Sequence, residues 1–192
     1  MRILVMGHRG MLGSDLMEVL GRDHEVDGVD VGEFDITSAA DCARVVGEFR
    51  PDAVVNAAAY TDVDGCETDR DACFAVNAEG VRNMAAACKA AGAKAVHYST
   101  DYVFDGTKGE PYVEDDPCRP INAYGASKRQ GEEALIETLE RHVLIRTAWL
   151  YGRQGKNFVK AILAKAKDGE TLRVVDDQVG SPTFTLDLAQ AT

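Results

Sequence analysis

The sequence predicts an α/β fold in which a central parallel sheet is covered by helices on both faces. Short apolar runs alternate with segments whose apolar residues recur at helical spacing, a pattern typical of successive β-α-β units. A hydrophobic fraction of 45% supplies enough apolar surface for a core and argues against disorder. At 192 residues, the chain is long enough for one large domain, or for one domain and the start of a second.

Six short segments predict the strands of this sheet, the first of them a continuous apolar run. In chain order they lie at residues 3–6, 25–31, 53–55, 95–99, 143–145 and 172–175. Because helices bury both faces of a parallel sheet, its strands are apolar throughout rather than at every second position. The crossover connections between them are expected to be right-handed.

Five helices are predicted between the strands from apolar residues that recur every three or four positions. They fall around residues 12–20, 41–49, 81–88, 122–140 and 158–163. Ser38 and Asp41 form a capping-box pattern before the second helix, and Gly92 follows the third. Residues 106–120 are rich in glycine, proline and acid, which predicts a long surface loop of the kind that often serves as a lid.

The charge and the cysteines limit the class of protein. A net charge of −11 argues against a nucleic-acid partner, because phosphate binding needs a basic face. Five cysteines without a C-x-x-C pair favour a reducing, cytoplasmic compartment, and Cys42 and Cys88 fall on apolar helix faces as small core residues. The apolar N-terminal stretch is too short for a signal peptide, and no apolar run is long enough to cross a membrane.

GHRGMLG, at residues 7–13, lies between the first predicted strand and the first predicted helix. Glycines at this spacing let the backbone approach a pyrophosphate, and the helix N-terminus offers amide donors and the positive end of its dipole. The G-x-x-G-x-x-G spacing is weak evidence by itself. Its position favours a dinucleotide cofactor over a simple glycine turn, and therefore a doubly wound sheet of the Rossmann type.

Two charged residues bear on which nicotinamide cofactor would bind. Asp30 ends the second predicted strand, at the distance from the glycines where an acid grips the adenosine ribose of NAD. Arg9, inside the glycine loop, would instead meet the additional phosphate of NADP, or would be a solvated loop charge. The two residues favour different cofactors, so both NADH and NADPH remain open.

NAYGASKRQGE, at residues 122–132, places Tyr124 and Lys128 four positions apart and so on one face of a predicted helix. An unperturbed tyrosine pKa of about 10 is too high for efficient proton transfer at neutral pH. A nearby ammonium group is expected to lower the pKa of Tyr124. The pair therefore predicts a general acid or base, the alternative being a surface tyrosine beside a solvated lysine.

HYSTDYVFDG, at residues 97–106, places a run of polar side chains at the end of a predicted buried strand. Such groups cost free energy unless something binds them. Because ligands of doubly wound sheets lie beyond the carboxyl ends of the strands, Thr100 is expected to hydrogen-bond a substrate carbonyl. With Tyr124 and Lys128 it would form a triad for hydride transfer to or from a ketone, whose oxygen gains charge in the transition state.

Six motifs, taken in order, resemble the dTDP-4-dehydrorhamnose reductases, a family of extended short-chain dehydrogenase/reductases. The motifs are GHRGMLG, NAAAYTDVDGCE, HYSTDYVFDG, YGASK, RTAWLYG and DDQVGSPT. They run through the whole chain with similar spacing, and HYSTDYVF together with YGASK is specific to this branch. The resemblance implies NADPH- or NADH-dependent reduction of the 4-keto group of a dTDP-4-keto-6-deoxysugar, in nucleotide-sugar biosynthesis.

The resemblance also implies roles for individual residues. Thr100, Tyr124 and Lys128 match the catalytic triad, and Asn77 matches the helix asparagine of a proton relay. Lys128 would in addition hold the nicotinamide ribose. Cofactor-binding positions are matched by Gly7, Arg9, Gly10, Met11, Leu12, Gly13, Asp30, Asp35, Ile36, Ala57, Ala58 and Tyr60, together with Tyr124 and Lys128.

The match to the substrate region is less complete. Val103, Phe104 and Trp149 correspond to positions near the deoxysugar, although each also fits a core position. Family members are longer, so the smaller sugar-nucleotide domain is expected to be largely absent. Residues 1–150 are assigned to the NAD(P)-binding domain, and residues 151–192 to its last elements and the start of the substrate domain.

Other interpretations remain open at this point. A sugar-nucleotide dehydratase would need Asp and Glu in succession after Thr100, whereas Asp101 is followed by Tyr102, which favours simple reduction. A non-catalytic NADP-binding regulatory subunit of an enzyme complex, or another extended reductase acting on a nucleotide sugar, is also consistent. Some relatives dimerise around magnesium, so a homodimer with an interfacial magnesium is kept as an expectation, although no acidic cluster predicts a metal site.

Overall fold

Five parallel strands form the central sheet. They are β1 (Arg2–Met6), β2 (Glu25–Val29), β3 (Ala53–Asn56), β4 (Lys94–Thr100) and β5 (His142–Thr147). The computed structural model describes residues 1–169 and 171–192, and in it the strands lie in the order β2-β1-β3-β4-β5. The order changes direction between β1 and β3, which opens a crevice at their carboxyl ends. The predicted doubly wound sheet is confirmed.

Helices cover both faces of this sheet. They are α1 (Met11–Leu20), α2 (Ala39–Phe49), α3 (Gly65–Thr68), α4 (Arg70–Phe74), α5 (Gly80–Ala91), α6 (Ala123–Thr138), α7 (Phe158–Lys167) and α8 (Thr185–Ala191), with a π-helical turn at Ala75–Glu79 and a 3₁₀ turn at Asp101–Val103. Helices α2, α5 and α6 pack on one face, and α1 and α8 pack on the other. No helix in the described part of the chain combines the length and apolar character needed to cross a membrane.

Strand β1 shows how one apolar run supplies both layers of the core. Leu4 and Met6 pack with α2 and α5, whereas Ile3 and Val5 pack with α1. All four side chains are buried. Because successive side chains of a strand point to opposite faces, burial on both faces requires an apolar residue at every position.

The start of α2 confirms one half of the predicted capping box. The Ser38 hydroxyl accepts the Asp41 N–H at 3.2 Å. The Asp41 carboxylate, however, accepts the N–H of Asp35 at 3.1 Å instead of the N–H of Ser38. On the apolar faces of α2 and α5, Cys42 and Cys88 are fully buried, as predicted.

The predicted strand at residues 172–175 is wrong. The structure assigns no strand there, and Leu172, Val174 and Val175 are exposed. A strand is stabilised by a hydrogen-bonded neighbour, and none of the described residues pairs with this segment. The chain forms instead a small parallel pair, β6 (Leu150–Tyr151) and β7 (Thr183–Phe184), which is too short for a periodic sequence signal.

Helix α6 lies unusually close to the π-helical turn. A Cβ atom on Gly131 would lie 2.1 Å from the carbonyl oxygen of Asn77, so no side chain fits at this position. Backbone contact of this kind requires glycine on the helix face that meets the turn. The contact sets the distance between α6 and this turn.

We expect Gly131→Ala to lower the free energy of unfolding by about 2 kcal/mol or more, because α6 must move to admit the methyl group. Gly47→Ala is the matched control: Gly47 lies within α2, and its added Cβ meets nothing within 4 Å. That variant should be more stable by up to about 1 kcal/mol, from helix propensity alone. Urea denaturation of both variants checks this, and similar effects at the two sites would contradict it.

Candidate active site

The glycine loop crosses the carboxyl end of β3. Gly7 has a φ of 81°, and a Cβ atom there would lie 2.7 Å from the backbone nitrogen of Ala58. A Cβ on Gly13 would lie 2.0 Å from the carbonyl oxygen of Gly7. The loop therefore requires glycine at both positions. It leads into the first turn of α1, whose N–H groups have no acceptor within the helix and can bind an anion.

A cavity of about 600 Å³ lies beside this loop. Asp30 lies in its wall, where Oδ2 accepts the Arg9 N–H at 2.8 Å and Oδ1 accepts the Val31 N–H at 2.7 Å. These bonds fix a carboxylate where an acid grips a ribose in doubly wound folds. The other lining residues are Gly7, Gly10, Val31, Gly32, Phe34, Asp35, Ile36, Ala57, Ala58, Ala59, Tyr60 and Val76.

A second cavity, of about 460 Å³, continues from the first. Gly10 and residues 57–59 line both, so the two form one groove along the crevice between β1 and β3. The second cavity brings together Thr100, Tyr124 and Lys128, as the sequence predicts. It also contains Met11, Leu12 and Trp149, together with residues that the sequence analysis did not identify, among them Thr61, Val63, Thr147 and Ala148.

The groove fits a nicotinamide dinucleotide. The glycine loop packs against the backbone of Ala58 too closely for a side chain at Gly7, and the N-terminus of α1 lies at the junction of the two cavities. Asp30 is at one end of the groove, and Tyr124 and Lys128 are at the other. Asp35, Ile36, Ala57, Ala58 and Tyr60, all predicted to contact the cofactor, line the first cavity.

Lys128 is a buried cation, with 2% of its surface exposed. Its Nζ donates a hydrogen bond to the carbonyl oxygen of Tyr98 at 2.7 Å. Burial lowers the pKa of Lys128 to about 8, and the negative charge of Glu132 opposes part of that shift. Lys128 is therefore mostly protonated at neutral pH but loses its proton far more readily than an exposed lysine does.

The expected lowering of the Tyr124 pKa by Lys128 is wrong for this arrangement. Burial raises the pKa of Tyr124 to about 12, and the neighbouring Thr100 hydroxyl opposes part of that rise. Removing the phenolate from water is the dominant effect, while the Lys128 ammonium donates to the Tyr98 carbonyl. Sequence spacing places the two residues on one helix face but does not determine this balance.

The Thr100 hydroxyl already has two protein partners. It donates to Asp101 Oδ1 at 3.1 Å and accepts the N–H of Tyr102 at 3.2 Å. Burial raises the pKa of Asp101, and the hydrogen bond from Thr100 opposes this rise. To donate to a substrate oxygen, the hydroxyl must rotate away from Asp101.

Asn77 lies behind the groove, in the π-helical turn. Its Oδ1 accepts the N–H of Tyr60 at 2.9 Å, and its Nδ2 donates to the Tyr60 carbonyl and to Ser127 Oγ, each at 3.0 Å. Ser127 Oγ in turn donates to the carbonyl oxygen of Tyr124 at 2.7 Å. These contacts join the loop after β3 to the first turn of α6. They are contacts of a positioning residue, and the proton relay stays a prediction.

A buried ion-pair network lies one helical turn beyond Lys128. The Glu132 carboxylate is fully buried and accepts two hydrogen bonds from Arg146, each at 2.8 Å, and one from Arg129 at 2.9 Å. Burial pushes the pKa of Glu132 upward, but these arginines outweigh it and hold the pKa below its ordinary value. Arg146 also donates to the Glu114 carbonyl at 3.3 Å, so the network ties the loop at 106–120 to α6 and β5.

Two of the three residues predicted near a sugar lie in the core. Val103 and Phe104 are buried outside the lining of both cavities, and Phe104 stacks on Tyr112 with ring centroids 4.2 Å apart. The alternative of a core role is therefore favoured for both.

Trp149 lines the second cavity with a left-handed φ of 48°, which is costly for a bulky residue. Gly180 packs against its indole, where a Cβ would lie 2.9 Å away.

Arg9 lies outside the lining of both cavities. Its guanidinium forms an ion pair with Glu33, with Nη2 and Oε1 2.6 Å apart. No sequence motif points to Glu33, because an acid after a strand is ordinarily a solvated charge. In the described ranges, 1–169 and 171–192, no group of three or more His, Cys, Asp or Glu residues could hold a metal, so the interfacial magnesium has no support.

The family comparison gives the same assignment as the motifs. The family model described as the RmlD substrate binding domain matches residues 1–192. The chain belongs to this family. It is 46% identical over 192 residues to the dTDP-4-dehydrorhamnose reductase of Burkholderia thailandensis, a match that covers 100% of this chain and 64% of that relative. The resemblance to the dTDP-4-dehydrorhamnose reductases is confirmed, for a chain that spans less than two thirds of this relative.

Solved structures of family members superpose closely on this chain. A dTDP-4-dehydrorhamnose reductase from Clostridium acetobutylicum has a TM-score of 0.96 and 43% identity, covering 100% of this chain and 68% of that one. The dTDP-4-dehydrorhamnose reductase of Bacillus anthracis, in complex with NADP, has a TM-score of 0.95 and 43% identity, covering 98% and 67%. The fold is therefore that of the family.

The lowered pKa of Lys128 predicts a pH dependence of stability. Between about pH 8 and about pH 10 the unfolded chain binds a proton at Lys128 that the folded chain releases, so this residue makes stability rise with pH. The contribution over that window is about 2 kcal/mol. Comparing urea denaturation of the wild type and Lys128→Met across the window measures it as a difference in slope.

The comparison with the variant is needed because other groups titrate in the same range. Burial raises the pKa of Cys42, Cys66 and Cys88 to about 12, so these thiols make stability fall as pH rises above about 9. Their effect is common to both proteins and cancels in the difference. Parallel pH profiles for the wild type and Lys128→Met would show that the Lys128 pKa is not lowered.

Proposed function

We propose that this chain is the nicotinamide-binding part of a reductase that converts the 4-keto group of a dTDP-4-keto-6-deoxysugar, such as dTDP-4-dehydrorhamnose, to a hydroxyl group. The observation that carries the proposal is the convergence of Thr100, Tyr124 and Lys128 in a cavity continuous with the glycine-loop cavity. The name of the Burkholderia relative and the NADP complex of the Bacillus relative support the substrate class and the cofactor class.

NADPH or NADH is the proposed cofactor. The N–H groups at the start of α1 would bind the pyrophosphate, Asp30 would bind the adenosine ribose, and Lys128 would bind the nicotinamide ribose. When bound, the nicotinamide supplies the hydride that reduces the carbonyl carbon. The groove contributes a surface of small side chains at residues 57–59, which leaves room for the dinucleotide to pass between the two cavities.

Tyr124 is the proposed general acid. With a pKa of about 12 its hydroxyl is protonated at neutral pH and available to protonate the substrate oxygen as negative charge develops there. The Thr100 hydroxyl would donate to the same oxygen after rotating away from Asp101. The nearby Lys128 ammonium would then stabilise the phenolate that remains on Tyr124.

We expect Tyr124→Phe to reduce turnover by about 10²- to 10⁴-fold while leaving cofactor affinity nearly unchanged, because only the acid is lost. The assay is NADPH-dependent reduction of dTDP-4-dehydrorhamnose by this chain extended to family length with the C-terminal third of the Burkholderia relative. Tyr112→Phe is the control, because its hydroxyl bonds Asp105 outside both cavities. Turnover of Tyr124→Phe equal to that of the control would rule out Tyr124 as the acid. Tight NADPH binding without turnover by the unmutated protein would favour the regulatory-subunit interpretation.

The 192-residue chain alone should bind NADH or NADPH but reduce the sugar nucleotide far more slowly than the extended chain. The groove that carries the cofactor-binding residues lies within the described residues. Binding energy from the remote nucleotide part of a substrate normally helps to position its reacting end. Calorimetry with each cofactor and a turnover assay on both chains check this. Equal turnover by the two chains would show that the added third is dispensable.

A further inference from the structure

The Glu33 carboxylate lies close to polar groups of the glycine loop and of the turn after β2. Its Oε1 contacts the Arg9 Nη2 at 2.6 Å, and its Oε2 accepts the N–H of Asp30 at 3.3 Å. The His8 Nε2 lies 3.8 Å from Oε2 but accepts a hydrogen bond from the Arg9 Nε at 3.2 Å. The Arg9 guanidinium is therefore the nearest cation to Glu33 in this cluster.

The cluster is fixed from both sides. The His8 ring rests on Gly28 of β2, where a Cβ atom would lie 2.5 Å from the ring carbon Cγ. Glu33 is carried by the turn after β2, in which the N–H groups of Glu33 and Phe34 both donate to the Asp30 carbonyl. Arg9 and Glu33 are therefore both carried by short segments whose backbone is held by packing or hydrogen bonds.

The cluster borders the ribose end of the groove. Asp30 lines the first cavity, and its Oδ2 accepts the N–H of Arg9. A phosphate on the 2′ position of a ribose held by Asp30 would therefore face the surface formed by Arg9 and Glu33. The two carboxylates would repel the phosphate, and the guanidinium that could bind it is already paired.

We propose that Glu33 sets the cofactor preference of this site: it holds the Arg9 guanidinium in an ion pair and adds negative charge beside Asp30, so that NADH is favoured over NADPH. This inference rests on the proposed function, because it presumes a nicotinamide dinucleotide in the groove. Arg9 and Glu33 are each about half exposed, and exposed ion pairs are weak. Without the carboxylate, the guanidinium is free to form a charge-assisted, bidentate contact with a phosphate.

The test measures binding rather than turnover. The chain is titrated calorimetrically with NADH and NADPH, and with 5′-AMP and 2′,5′-ADP, two fragments that differ only in the 2′-phosphate. For Glu33→Gln we expect the affinities for NADPH and 2′,5′-ADP to rise by about tenfold relative to those for NADH and 5′-AMP. The gain should shrink at high salt, because it is electrostatic.

Two further variants separate this role from a general effect of charge. Glu18→Gln removes the same charge from an ion pair of similar exposure, with Arg22 at 2.8 Å on α1, and should leave the preference unchanged. The double variant Glu33→Gln/Arg9→Gln should lose most of the gain, because no guanidinium is left to bind the phosphate.

The outcomes distinguish this inference from the function on which it rests. If the wild type binds NADH but Glu33→Gln keeps the wild-type preference, or if Glu18→Gln shifts the preference equally, the role of Glu33 is overturned and the proposed function stands. A gain that persists in the double variant overturns the role of Arg9. Failure of the wild type to bind either dinucleotide would overturn both proposals.

Discussion

The candidate site depends on how closely α6 lies against the backbone of its neighbours. Added Cβ atoms on Gly125 and Gly131 would each lie 2.1 Å from a carbonyl oxygen, that of Tyr102 and that of Asn77 respectively. Lys128 lies between these two contacts and reaches the Tyr98 carbonyl of β4. Because two helix positions have no side chain, a cation on the same helix can reach the carboxyl end of the sheet.

Burying that cation imposes further requirements on the chain. The Tyr98 carbonyl accepts one hydrogen bond from Lys128, and Glu132 supplies a negative charge one helical turn away. Glu132 is itself buried and is neutralised by Arg146 and Arg129. A buried ion pair is weak evidence for stability, since well-packed apolar residues in its place often give an equally stable protein. This network acts on Lys128 through the negative charge of Glu132, and it also ties the loop at residues 106–120 to α6 and β5.

The parts of the protein that local sequence determines were predictable, and those that depend on tertiary packing were not. The apolar run of β1 and the glycine loop are local signals, and they predicted the first strand of the sheet and the turn that borders the first cavity. The pairing of Glu132 with Arg146 joins residues that are distant in sequence, and the direction of the Tyr124 pKa depends on burial. Val103 and Phe104 are apolar in either role, so no local pattern could separate a core position from a substrate contact.

The two cavities meet at a waist, defined by the residues that line both of them, Gly10 and three successive alanines at residues 57–59. This waist consists of backbone and small side chains. Replacing any of these residues by a larger one would add atoms where the two cavities join and would block the passage between them. The ends of the groove are built from separate elements, the turn after β2 at one end and α6 at the other. If the groove binds a dinucleotide as proposed, evolution or protein engineering can therefore exchange its adenosine end independently of its reacting end, with the waist as the fixed joint between two modules.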